Sequence, residues 1–527
     1  MTARTVVIGL DGAAFDLFVP WVEQGKLPNL KRLLEQGARA VSQSCLPPTT
    51  SPSWKCYSTG KNPGKIGIFW WENIDRKARR VVLPPVDRVN LQDEIWDYMG
   101  RAGKKVGVMN MPLTFPPKKV NGFMVSGPPT GQTDGFCYPA ELEARLKAEF
   151  GYSVYPKGYA QAKGNPDKMA ECICSLIETK FRTARALAHE HNLDFLHLTI
   201  FYINSLQHDY WDDAPTLAAW QTVDRQLAPL LDDGCNIFII SDHGCNEIKQ
   251  VCHINTWLAE QGYLKTTAAM KATSLLYRLG ISRTRANHIA RTLHLRWLGR
   301  LVPEKALDIM PSASGSADET RKNDKIEWQA SQALASGQGP VYILDTAGDP
   351  DSLRQELRRK LEQLSNPKTG AKVAQHVYLR EEAYSGEFLA DAPDLIIDPA
   401  PGTHIRGGIT VSSKAVFEQP SGWRGENKRD GILVAYGPDI RPGFDLGRVS
   451  ILDIAPTILH LMDIPVPTDM DGRVLTEIFR EGSAPARRPL RDQPGQDSRT
   501  RMEKERISRG LRRLGAKSRA GGGAPIP

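Results

Sequence analysis

Residues 236–244 read NIFIISDHG, a run of Ile and Phe that stops abruptly at Ser241, Asp242, His243 and Gly244. A strand with one face in water alternates apolar and polar side chains; an uninterrupted apolar run is covered on both faces, as in a parallel sheet sandwiched between helices. The same signature recurs in TVVIGL (5–10), KVGVMNM (105–111), GFMVSG (122–127), DFLHLTIFY (194–202), PDLIIDP (393–399) and GILVAYG (431–437). Helical stretches such as LPNLKRLLEQG (27–37) lie between them. This alternation predicts an α/β fold with a doubly wound, mostly parallel sheet and helices on both faces. Function in such sheets collects at the carboxyl ends of the strands, so the polar residues that directly follow the runs carry the most weight.

The chain has 527 residues, 41% hydrophobic and 24% charged, which suits one large domain with insertions or two to three ordinary ones. Its formal charge of +8 is localised. From Ser483 to Pro527 there are 12 Lys plus Arg against four acids, a balance of +8, so the rest of the chain is formally neutral. The segment 266–310 reads as helical, with eight basic residues against Glu304 and Asp308. The expected organisation is therefore a core in two parts, 1–265 and 326–482, an inserted basic helical cap at 266–325, and a disordered basic tail at 483–527. Within the tail, Ile507, Leu511 and Leu514 fall on one helical face among arginines, a weak signal for a basic amphipathic helix that could contact an anionic partner or membrane surface. Eight cysteines without CxxC pairs or zinc-finger spacing fit reduced thiols. With neither a leader-like start nor an apolar run of membrane-spanning length, the expectation is a cytoplasmic protein without a transmembrane segment. Oligomeric state is not legible.

Asp11 follows the first run, and Asp242 with His243 follows a later one. A lone Asp after a strand is often a helix cap, but two such strand ends with a neighbouring histidine point to a shared cation, with carboxylate and imidazole ligands suited to zinc or manganese. Residues 203–211, INSLQHDYW, place His208 four residues after Asn204, which is ligand spacing. Between these lies PPTTSPSWKCYSTGKNPGK, whose hydroxyls (Thr49, Thr50, Ser51, Ser53) could supply a nucleophile, although a Pro/Ser turn loop has the same composition. GKNPGK is not a nucleotide P-loop: it has three residues between its glycines, and Ile66 follows the lysine where Ser or Thr is needed.

Taken in order, VIGLDG, PP-x-T-x-P-x-W with TGKNPGK-x-GI, a strand followed by QH-x-x-W, SDHG, GENKRDGILVAYGP, and DIAPTIL with VPTDMDGRVL resemble the type I phosphodiesterase/nucleotide pyrophosphatase branch of the alkaline phosphatase superfamily. The resemblance runs from about Arg4 to Arg480. It implies a two-metal site, commonly zinc, and a Thr or Ser that attacks phosphorus. Carried over by position, Asp11, Asp242 and His243 correspond to ligands of the metal that activates the nucleophile, and Thr50 to the nucleophile, itself bound to that metal. The second metal site departs from the pattern. Asn204 stands where the family has Asp, and Asn427 where it has His, leaving His208 alone of the three.

That departure argues against a tightly held second metal. The leading expectation is a metal-dependent phosphoric ester hydrolase, or a phosphoryl transferase, with a Thr50 nucleophile and one tightly bound Zn, with Mn or Mg as alternatives. In this reading His208 acts through hydrogen bonding or proton transfer, Lys428 replaces the missing metal's charge at the leaving group, and Arg429 binds substrate. Two other readings stay open: a weaker second metal held by Asn204, His208 and Asn427, or by His253 and His404 from other loops; and a non-catalytic module that binds a phosphorylated ligand. The expected substrate is a phosphorylated small molecule. Trp54, Phe69, Trp70 and Trp71 are candidates to stack on a base or an apolar leaving group, Trp54 first, although aromatics so placed are more often core.

Overall fold

A computed structural model of the chain describes residues 4–82, 86–130, 133–267, 325–346, 348–409 and 415–495. The expected cap therefore lies outside the described residues except at its two edges, as does the tail beyond residue 495 with its amphipathic stretch. No helix among the described residues is long and apolar enough to cross a membrane.

The described residues are organised around a nine-stranded sheet. Its order is Phe444–Ser450, Ala38–Gln43, Asp430–Tyr436, Asn236–Ile240, Thr5–Leu10, Phe195–Ile200, Val106–Met109, Gly122–Val125 and Cys137–Tyr138. Five of its pairings are parallel; the antiparallel ones are those of Asp430–Tyr436 with both neighbours and of the short Cys137–Tyr138 edge. The apolar runs behave as their continuity predicts. Val6, Ile8, Ile237 and Ile239 enter one buried cluster with the helices Phe15–Glu23, Pro28–Gln36, Pro166–His191 and Ala214–Leu231. Val7, Phe238 and Ile240 enter another with the helices Thr50–Thr59, Ile95–Arg101 and Ile454–Leu461. Successive side chains point to opposite faces, and both faces are dry.

The run at 393–399 belongs elsewhere. Its strand, Leu395–Pro399, lies in a separate antiparallel sheet with Ala374–Leu379, Pro340–Ile343 and Ala333–Ala335, around a core of its own. A fully buried antiparallel strand and a parallel one share the same apolar continuity, so the run alone could not separate them.

Three parallel neighbours, Asn236–Ile240, Thr5–Leu10 and Phe195–Ile200, end side by side. The antiparallel Asp430–Tyr436 strand begins at that same edge, and Ala38–Gln43 ends there before the chain enters the helix Thr50–Thr59. Five segments thus deliver their polar termini to one end of the sheet. TGKNPGK and VPTDMDG, distant in sequence, lock together behind it: Asn62 N and Nδ2 each donate to Asp471 Oδ2 at 2.8 Å, and the buried Lys61 ammonium pairs with Asp469.

The helix Thr50–Thr59 is buried along its whole length and is anchored by a dry ion network. Lys55 Nζ and Ser58 Oγ both donate to Glu94 Oε1 at 2.9 Å, and Lys118 Nζ lies 2.8 Å from Glu94 Oε2. Burial by itself would raise the Glu94 carboxyl, but Lys118 and Lys55 bring it down to about 2. A depressed carboxylate stabilises the fold above its ordinary value of 4.5, and that contribution fades as pH falls through about 2. Glu94→Ala leaves the buried Lys55 ammonium without its acid partner, while the half-buried Lys118 keeps Asp97. We expect a loss of roughly 3–5 kcal/mol in urea unfolding at neutral pH, shrinking in acid; a loss below about 1 kcal/mol would show that the network does not anchor this helix.

Candidate active site

Asp11 comes directly after the first strand and is fully buried. Trp54 Nε1 donates to its Oδ2 at 3.1 Å, and Asn204 Nδ2 donates to its Oδ1 at 2.8 Å. Gly12, next in sequence, has φ +68°, and a Cβ there would come within 2.3 Å of Asn204 Oδ1. Its N–H donates to Asp242 Oδ1 at 3.2 Å. The Asp-Gly pair is therefore a steric requirement: only glycine takes this turn and still admits both neighbours.

Asp242 and His243 approach from the adjacent strand, both fully buried. His243 Nδ1 is 2.9 Å from the Gly244 carbonyl, an acceptor only, so the proton is on Nδ1 and the Nε2 lone pair points inward. Nε2 is 3.3 Å from Asp242 Oδ2, 3.8 Å from Asp11 Oδ1 and 3.2 Å from Thr50 Oγ1. Ligand atoms of Asp11, Asp242 and His243 all lie within 4.8 Å of one another, and no other group of three or more such residues among the described residues has that arrangement.

These atoms fit a divalent cation. Asp242 Oδ2 is buried without a hydrogen-bond donor among the described residues, so the acceptors converge with little to offset their repulsion. Burial, reinforced by Asp242, raises the Asp11 carboxyl well above the usual carboxylate range, and burial pushes Asp242 up to about 7. A bound cation is what would keep both ionised, and the set of two carboxylates and one imidazole suits zinc, with manganese also compatible. Thr50, the first residue of its helix, adds a hydroxyl at the edge of the cluster.

The second half of the site differs in kind. INSLQHDYW forms the helix Ile203–Tyr210, so Asn204 and His208 share one face a turn apart. Asn204 Nδ2 donates to Asp11 and also lies 3.1 Å from His208 Nε2, while Gln207 Nε2 donates to Asn204 Oδ1 at 2.9 Å. Gln207, quoted in the QH-x-x-W motif but given no role there, is buried and itself oriented by Trp220 Nε1, which donates to its Oε1 at 3.2 Å. Flipping the Asn204 amide would set its oxygen against the Asp11 carboxylate and an imidazole lone pair, so the nitrogen-inward orientation is the one that satisfies every partner. His208 Nδ1 donates to the Gly425 carbonyl at 2.8 Å, and burial lowers the ring to about 4. His208 thus has both ring nitrogens engaged in hydrogen-bond contacts.

Asn427 is buried, with an Oδ1 that has no hydrogen-bond partner among the described residues. Lys428 pairs with Asp16, and Arg429 NH1 lies 3.4 Å from Asp398 and 3.5 Å from the Tyr378 hydroxyl. The charges proposed to replace the second metal are thus already partnered. His253 Nε2 lies 3.0 Å from Glu418 and His404 Nδ1 contacts Glu426, so both turn to acids outside the triad. Trp54 requires correction: it is fully buried and spends its indole N–H on Asp11, so it supports a ligand and offers no surface for stacking on substrate.

Residues 5–425 match the family model described as type I phosphodiesterase / nucleotide pyrophosphatase. The chain belongs to that family. Its members are phosphodiesterase- and pyrophosphatase-type phosphoester hydrolases of the alkaline phosphatase superfamily and are typically dependent on divalent metal. Human ectonucleotide pyrophosphatase / phosphodiesterase 5 has 13% sequence identity and a TM-score of 0.51, covering 91% of this chain and 100% of its own. An inactive form of the murine protein in complex with AMP gives the same identity, TM-score and coverage. Phosphonoacetate hydrolase from Sinorhizobium meliloti 1021, in complex with phosphonoformate, has 15% identity and a TM-score of 0.50 over 84% of this chain and 91% of its own. At such identities these phosphodiesterase-family and phosphonate-hydrolase neighbours attest the fold. No curated protein sequence matches the chain significantly.

Asn204→Asp replaces the donor that faces Asp11 with a third buried carboxylate. We expect a lower melting temperature in chelator than for the unsubstituted protein and a larger gain on adding zinc, read by differential scanning calorimetry. Equal melting temperatures in chelator would contradict the hydrogen-bonded bridge.

Proposed function

We propose that this family member is a phosphoester hydrolase that works with one tightly held divalent cation and uses Thr50 as its nucleophile. The observation that carries the reading is the position of Thr50 Oγ1, 3.2 Å from His243 Nε2 at the rim of the Asp11, Asp242 and His243 cluster. Asn204 supports the one-cation form, because its amide nitrogen faces both Asp11 and His208.

Asp11, Asp242 and His243 would hold the cation, which when bound supplies the positive charge that lowers the hydroxyl pKa and offsets phosphoryl charge. Thr50 gives up its hydroxyl proton to solvent and Oγ1 forms a bond to phosphorus as the ester P–O bond breaks, while the departing oxygen takes up a proton from water, so the protons balance. Water then cleaves the phosphothreonine, restoring the hydroxyl and releasing the phosphoryl product. Thr50 opens its helix, whose first turn presents backbone N–H groups toward an incoming anion. Trp54 and Asn204 keep the Asp11 carboxylate oriented throughout.

Thr50→Ala removes the oxygen that bonds to phosphorus. With bis(p-nitrophenyl) phosphate, turnover should fall at least about a thousandfold with the circular dichroism and melting temperature preserved. Turnover within a few-fold of the unsubstituted protein would place the nucleophile elsewhere.

A further inference from the structure

Beside His208 lies a cavity of about 770 Å³ whose wall includes six large aromatic side chains. Trp70, Trp71, Tyr155, Phe201, Tyr202 and Trp423 line it. Residues of its wall touch or adjoin residues of the candidate site at three points. The Trp423 ring stacks on His208 with centroids 4.0 Å apart and planes 14° apart. Phe201 and Tyr202 lead directly into the helix that carries Asn204. Ser51, next to Thr50, donates to the Trp70 carbonyl at 3.2 Å. Of the aromatic residues that follow the nucleophile, Trp70 and Trp71 face this space, while Phe69 is buried against Tyr384.

Most of the polar groups on the wall are already engaged. Trp70 Nε1 donates to Gln338 Oε1 at 3.1 Å, and Gln338 Nε2 donates to Glu426 Oε1 at 2.8 Å. The other Glu426 oxygen contacts His404, and the Tyr155 hydroxyl sits 2.9 Å from Thr130 N and 2.9 Å from its Oγ1. Arg406 is the cationic residue of the lining, with one guanidinium nitrogen donating to the Ser421 carbonyl. A heterocyclic base brings several donors and acceptors that would be desolvated here with few free partners, whereas an alkyl group loses only water. The aromatic faces reward apolar contact area.

Building on the proposed phosphoester hydrolase, we propose that this cavity is a subsite for the alcohol portion of the substrate and that it takes an extended apolar group in preference to a nucleoside.

Binding can be read without turnover, by isothermal titration calorimetry of the zinc-loaded full chain with ethyl phosphate, octyl phosphate and AMP. Octyl phosphate should bind at least about tenfold tighter than ethyl phosphate and than AMP, since each buried methylene adds favourable transfer energy. Trp423 is 41% exposed, so its replacement spares the core. Trp423→Ala should remove most of the advantage of octyl over ethyl phosphate, and Trp423→Phe should restore it. Equal affinities for octyl and ethyl phosphate, tighter binding of AMP, or an octyl advantage unaffected by both Trp423→Ala and Trp71→Ala would each overturn the assignment. Because no turnover is measured, an active Thr50→Ala enzyme would sink the nucleophile assignment and leave this preference standing.

Discussion

Three acceptor atoms, Asp11 Oδ1, Asp242 Oδ2 and His243 Nε2, meet in a dry space at the end of the sheet, with the Thr50 hydroxyl donating to His243 Nε2 at its edge. Lone pairs brought this close repel unless a cation sits among them, and the surrounding fold is arranged so that they cannot turn away. Gly244 fixes the His243 tautomer through its carbonyl, Gly12 braces Asp242, and Trp54 with Asn204 braces Asp11. The parallel strands place the acidic residues, and the buried Lys55, Glu94 and Lys118 network holds the helix that begins with Thr50.

Asn204 decides what kind of site this is. A carboxylate there would face Asp11 and could be tolerated only with more positive charge between them. The amide instead supplies a hydrogen to Asp11 and another toward the His208 lone pair, while Gln207 satisfies its oxygen. In the proposed one-cation reading this neutral hydrogen-bonded bridge takes the place of a second cation. The nearby cations do not add free charge to it, because Lys428 is paired with Asp16 and Arg429 with Asp398. On the proposed reading, attraction there would come from apolar contact with the neighbouring cavity.

Much of this was legible in the sequence because it is local. Continuous apolar runs report strands with two dry faces, and the polar residues that follow them, Asp11, Asp242 and His243, do converge. The antiparallel placement of Leu395–Pro399 was not legible, since burial on both faces looks the same in either kind of sheet. The roles of Trp54, Lys428 and Gln207 depend on partners 43, 412 and 196 residues away in the chain, which no local pattern encodes. The indole of Trp54 could be seen as an aromatic near the nucleophile; that it supports Asp11 follows only from the pairing of distant segments.

Elemental mass spectrometry of the full chain, after exposure to zinc and exhaustive buffer exchange, tests the central claim most directly. Acceptors that fit one cation, beside an amide bridge that replaces another, predict about one zinc per chain, lost in Asp242→Ala. Two tightly held ions, or one that survives Asp242→Ala, would contradict the account.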